Sequence, residues 1–143
     1  MTQKDKDLLL QDLCARLLYG VKCAIKNSDG YHHENIAKIG ETTIDKLKGF
    51  DGKYFNIYHD NPLDWNWYVN EVSVEDIKPY LFPLSSMTEE QKEEHKDLLD
   101  NQYSLDANDN VFTLQDFYCK YHLDYRGLIE KGLAIDTTNL NIY

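Results

Sequence analysis

Ile77-Lys78-Pro79-Tyr80-Leu81-Phe82-Pro83-Leu84-Ser85-Ser86-Met87-Thr88-Glu89-Glu90-Gln91 sets a stiff, aromatic segment directly against a helix-start signal. Each proline biases the residue before it towards extended backbone, so the first part reads as a strap and not a helix. Thr88 with Gln91 matches a capping box, and Glu89 and Glu90 suit the positive end of the helix that follows. The strap divides a single domain of 143 residues into unlike parts: 1–82, a helix plus a strand-rich half, and 83–143, an acidic helical half.

Upstream, Leu9, Leu10, Leu13 and Leu17 form an apolar stripe at helical spacing over residues 5–18, ending at Tyr19-Gly20. Val21, Cys23 and Ile25 then alternate with Lys22, Ala24 and Lys26, which predicts a strand with one wet face. Asn27-Ser28-Asp29-Gly30 is a turn, and Ile36 to Ile39 is the expected return. Further strands are predicted at Thr42–Leu47, Tyr54–Tyr58 and Trp65–Asn70, separated by Gly49-Phe50-Asp51-Gly52 and Asp60-Asn61-Pro62. The expected fold is α+β: an N-terminal helix, a small antiparallel bent sheet or partly open barrel of four to five strands, the strap, then two or three C-terminal helices. Those helices are placed from Glu89 through Leu99, from Thr113 to about His122, and from Asp124 to Gly132. The polar tail from Asp136 to Tyr143 is expected to be loose.

The strap, Asp7-Leu8-Leu9-Leu10-Gln11-Asp12-Leu13-Cys14-Ala15-Arg16-Leu17 and Asp124-Tyr125-Arg126-Gly127-Leu128-Ile129-Glu130-Lys131-Gly132-Leu133-Ala134 together resemble a family of small proteins. That family is common in gut Bacteroides-type bacteria and in their phages and mobile elements. The resemblance covers both ends and the strap, leaves out about Asn27 to Asn70, and implies no activity for any residue.

Composition narrows the function classes. Hydrophobic residues make up 42% of the chain, enough for a core, and a domain of this length buries roughly 69% of the surface its unfolded chain exposes. Eleven Tyr, five Phe and two Trp suit half-buried sheet faces and contact surfaces. The net charge is −10, carried as −3 by residues 1–82 (13 acidic, 10 basic) and −7 by 83–143 (12 acidic, 5 basic). Such a surface repels phosphate backbones, which disfavours direct nucleic-acid binding and suits a basic protein partner or a nucleic-acid mimic that blocks a host factor. Cys14, Cys23 and Cys119 are odd in number and widely spaced, which predicts reduced thiols in the cytoplasm. The charged start and the absence of a long apolar run predict no signal peptide and no membrane span.

No motif completes a catalytic, cofactor or metal site. Asp106-Ala107-Asn108-Asp109-Asn110 echoes a calcium loop but holds Val111 and Phe117 where the glycine and bidentate glutamate belong. His32-His33-Glu34 lacks a second histidine at helical spacing, and Cys119 with His122 finds no second pair. The remaining candidates are contact residues. Trp65, Trp67 and Tyr68 are a stacking platform for a small nucleotide-like ligand, or else core. Tyr125 and Arg126 are a fork for an anion, or else Arg126 pairs with Asp124 or Glu130. Glu89, Glu90, Glu93 and Glu94 are an acidic face for a host or phage protein. The sequence thus predicts a non-catalytic interaction or binding protein, with a nucleotide-like ligand binder, a nucleic-acid mimic and an unrecognised hydrolase as alternatives.

Overall fold

The computed structural model describes residues 1–27, 30–39, 54–59, 69–101 and 112–143. Helix α1 spans Gln3–Arg16. It opens on a capping box in which Thr2 Oγ1 accepts from the Asp5 amide (3.2 Å) and Asp5 Oδ2 accepts from the Thr2 amide (3.0 Å). A 3-10 turn at Leu17–Tyr19 follows, and Gly20 closes it in the left-handed conformation, at the place the sequence marks. Strand β1 (Lys22–Asn27) pairs antiparallel with β2 (Gly30–Ile39), with Asn27 opposite Gly30 across the predicted turn. Strands β3 (Tyr54–His59) and β4 (Val69–Ser73) extend this meander. A 3-10 turn at Val74–Asp76 leads into β5 (Ile77–Leu81), which pairs with the other side of β1. Last comes β6 (Ile135–Asp136), parallel to β5, so the order across the sheet is β4-β3-β2-β1-β5-β6. Helices α2 (Glu89–Asn101) and α3 (Leu114–Lys120) complete an α+β fold.

Four expectations are corrected. The strap is not a connector beside the sheet: its first five residues are β5, whose Ile77, Pro79, Tyr80 and Leu81 are buried. Pro79 is tolerated inside the sheet because β6 reaches only Tyr80 and Leu81, leaving the proline's outer side without a strand neighbour. Ala24, assigned to a wet face, is buried like Cys23, on a central strand paired on both sides. Residues 124–134 form successive turns and not a last helix. Asp124 organises them, its carboxylate accepting from the Leu128 and Ile129 amides (2.8 Å each), and a side chain satisfying two amides at once favours a turn over a continued helix. The tail is tied down: the Thr137 amide donates to Leu81 O (3.0 Å), and Tyr143 Oη donates to Tyr80 O (3.0 Å) while accepting from the Lys22 amide (3.1 Å). The predicted strand at 42–47, the turn at 49–52, the Trp65-Trp67-Tyr68 platform and the loop at 106–110 lie outside the described residues.

The core joins Leu9 and Leu13 of α1 to Val21, Cys23, Ile77, Leu81, Leu128, Leu133 and Ala134. A charged pair lies inside it. Asp12 and Arg16 share the buried face of α1 with these leucines, and both are fully shielded from solvent. Among the described residues, no helix is long and apolar enough to cross a membrane.

Candidate functional site

Helix α3 starts on a second capping box, Thr113 with Asp116, and the chain must then reverse after only seven helical residues. It does so in a Schellman arrangement: the Leu123 amide donates to Tyr118 O (2.8 Å) and the His122 amide to Cys119 O (3.2 Å). In such an arrangement the residue just past the C-cap (here Tyr121) is left-handed, a position usually given to glycine. Here it is His122, with φ of 53°. An L-residue with a side chain in that conformation costs roughly 1–2 kcal/mol, so something must hold it there.

Two sets of contacts do. The Phe82 amide donates to His122 O (2.9 Å) and the Asp124 amide to Phe82 O (2.8 Å), which docks the turn on the end of the strap. From below, Arg16 Nη2 donates to Leu123 O (2.8 Å), and Nη1 approaches Tyr118 O at 3.4 Å. Arg16 thus holds the carbonyls on either side of the reversal. Asp12 in turn grips the guanidinium through Nε (2.7 Å) and Nη2 (3.1 Å). Burial alone would lower the Arg16 pKa, but the hydrogen bonds and charge of Asp12 raise it instead.

Around His122 lies a cleft of about 280 Å³. Phe82, Ser86, Thr88, Gln91, Lys120, Tyr121 and Tyr143 are among the residues that line it. The imidazole stacks on the Tyr143 ring (centroids 4.1 Å apart, planes 13° apart). Burial, helped by the charges of Arg16 and Lys22, pushes the His122 pKa down to about 4, so the ring is neutral at neutral pH. Its Nδ1 is enclosed without a hydrogen-bond partner. An enclosed bare lone pair is tolerated better than an enclosed N–H, so the proton is assigned to Nε2.

Several other polar groups of the cleft are already engaged. Thr88 and Gln91 form the predicted capping box of α2: the Thr88 amide donates to Gln91 Oε1 (2.9 Å) and the Gln91 amide to Thr88 Oγ1 (3.2 Å). Lys120 Nζ donates to Glu94 Oε1 (3.3 Å) and lies 4.5 Å from the centroid of the Tyr121 ring, while Tyr121 Oη donates to Glu94 Oε2 (2.6 Å). Ser86 Oγ donates to Pro83 O (2.7 Å).

The contact candidates from sequence are distributed differently. Tyr125 and Arg126 do come together, with Arg126 Nε donating to Tyr125 Oη (3.1 Å). The carboxylate Arg126 meets is neither Asp124 nor Glu130 but Asp12 (3.4 Å), because Asp124 is committed to its own turn. Glu89, Glu90 and Glu93 are exposed, Glu89 pairing with Lys92, whereas Glu94 turns inward to α3. Cys119 and His122 are joined by no third or fourth partner: among the described residues, no group of three His, Cys, Asp or Glu side chains is placed to hold a metal ion. His32, His33 and Glu34 lie in β2. Burial raises the thiol pKa of Cys14, Cys23 and Cys119, so none is an activated thiolate.

Tyr143, Asp12 and Arg16 were not singled out from sequence as site residues, and His122 was weighed only as half of a metal pair with Cys119. The one available signal for His122 was a helix end without a glycine. Compared with known proteins, no family model, no curated protein and no solved structure matches this chain.

Proposed function

We propose that this is a non-catalytic binding protein of the cytoplasm, and that its ligand is a small polar molecule seated beside His122. The observation that carries the reading is a histidine kept in a glycine position, facing a cleft, with one ring nitrogen enclosed and unpartnered. Non-glycine residues held in the left-handed region cluster at ligand sites. The chemistry of the walls favours binding over turnover. A neutral imidazole with a pKa of about 4 is a weak base, and the Ser86 hydroxyl donates to a backbone carbonyl and not to a histidine. Titration with small ring compounds, followed by the ring resonances of His122, tests this. The reading predicts saturable shifts in the native protein, and it fails if no compound moves them.

The same reading includes a bent sheet. Only Val74–Asp76 separate β4 from β5, yet three strands lie between them in the sheet order. In a flat sheet the two would stand roughly 19 Å apart at about 4.8 Å per strand, while four Cα steps reach at most about 15 Å. Curling relieves the conflict. Backbone nuclear Overhauser contacts between β4 and β5 away from the turn support closure, and a clean open-edge pattern for β5 opposes it.

A second reading places a basic host or phage protein on the outward face of α2, where Glu89, Glu90 and Glu93 are exposed. The resemblance to phage and mobile-element proteins favours it. Its test is charge reversal at those three positions, which should slow association at low salt.

A further inference from the structure

We propose, resting on the cleft reading above, that the ligand is an uncharged single-ring heterocycle or aromatic amide, of the size of a pyrimidine base or nicotinamide, and not a phosphorylated compound. Four observations converge on that class. At about 280 Å³ the cleft lies at the bottom of the range for small-molecule pockets, so it suits one ring and little more. Its walls carry the rings of Phe82, Tyr121 and Tyr143, which favour a planar, partly apolar body.

The third observation is charge. A phosphate would need a free cation, and the one cation among the lining residues, Lys120, is already paired. Lys120 is held by Glu94, and the amides of Thr88 and Gln91 at the start of α2 are taken by each other's side chains. The carboxylate of Glu94, tied to both Lys120 and Tyr121, sets an unfavourable field for an incoming dianion. The whole chain, at −10, adds to it.

The fourth is hydrogen bonding. With Nδ1 enclosed, Nε2–H of His122 is the ring donor left for the cleft, and the Ser86 oxygen, its hydrogen committed to Pro83, remains an acceptor. Donor and acceptor together match the neighbouring carbonyl and N–H of an amide-type edge. The neutral state of His122 agrees, because an imidazolium would select an anion instead.

The test uses the full chain with uracil, cytosine and nicotinamide as uncharged probes, against uridine monophosphate and inorganic phosphate. Binding is read by saturation-transfer NMR and by the ¹⁵N shifts of the His122 ring. The expected result is binding of at least one uncharged ring with movement of Nε2. Uridine monophosphate should be weaker by roughly tenfold or more, about 1.4 kcal/mol, and raised salt should leave the uncharged ring bound. If uridine monophosphate or phosphate binds as well or better and moves the His122 signals, the ligand class is overturned while the cleft survives. If none of the probes moves the His122 signals, both the class and the site are wrong.

Discussion

Helices α1 and α2 both grip the short α3, by the same kind of contact in opposite surroundings. From within the core, α1 sends Arg16, backed by Asp12, to the carbonyls of Tyr118 and Leu123. From the solvent side, α2 sends Glu94 to Lys120 and Tyr121, and His95 Nε2 meets Tyr118 Oη at 2.8 Å. Each grip uses charge, yet they are not equivalent. Water screens Glu94 and stands ready to replace it, whereas nothing replaces Asp12 around a guanidinium with no exposed surface. Position, and not the number of hydrogen bonds, decides which grip fixes the end of α3.

Breaking the inner grip should have the largest effect. Asp12→Ala leaves Arg16 buried without its counter-charge, with the like-charged Arg126 guanidinium nearby, and should cost about 3–5 kcal/mol in urea unfolding. Replacing both members with apolar residues, Asp12→Leu with Arg16→Met, should restore much of that stability but disturb the His122 turn, visible as shifted His122 resonances. A double variant as unstable as Asp12→Ala would show that the pair is not the source of the loss.

Tyr143→Phe is the next test, and it asks whether the tail belongs to the inner or the outer class of contact. The Tyr143 hydroxyl serves Tyr80 O and the Lys22 amide at once, and its burial raises its pKa. Its loss should cost about 1–2 kcal/mol, read by thermal unfolding, and should loosen the stack on His122. A neutral result would assign the tail to the outer class.

Acid sharpens the comparison in another way. The folded-state pKa of His122, about 4, lies below its ordinary value of 6.5, so the folded protein binds fewer protons there than the unfolded chain. Stability from this group is present above pH 6.5 and is lost as pH falls towards 4. A His122→Gly variant should therefore show a flatter decline across that window. Parallel declines would mean that His122 titrates normally in the folded state.

The smallest effects belong to the outer grip. Glu94→Gln should cost less than about 1 kcal/mol. Charge reversal at Glu89, Glu90 and Glu93 should change stability by only about 0.5 kcal/mol per site, detectable by differential unfolding.

The features legible in sequence were those set by local chemistry. Thr88 with Gln91, Thr113 with Asp116 and Gly20 each announce a helix boundary through the groups they satisfy within a few residues. What was illegible depends on partners far along the chain. Asp12 and Arg16 look like the polar side of an amphipathic helix until Leu123, 107 residues later, supplies the carbonyl that makes burial tolerable. Pro79 looks like a strand breaker until β6 proves too short to need its missing N–H. Tyr143 carries no local mark, and His122 only a helix end without a glycine: their meeting requires β6 and the tail to return beside β5.

The central claim is that His122 sits in a strained position for the sake of a ligand, and paired measurements on His122→Gly test it most directly. Glycine relieves the left-handed backbone, worth roughly 1 kcal/mol, and removes the unpartnered Nδ1, against a lost ring stack of about 0.5–1.5 kcal/mol. The account predicts that this variant unfolds at the same denaturant concentration as the native protein or a higher one, and that it no longer binds the ring compounds. A variant less stable by about 2 kcal/mol or more, with binding of those compounds intact, would make His122 a structural residue and contradict the account.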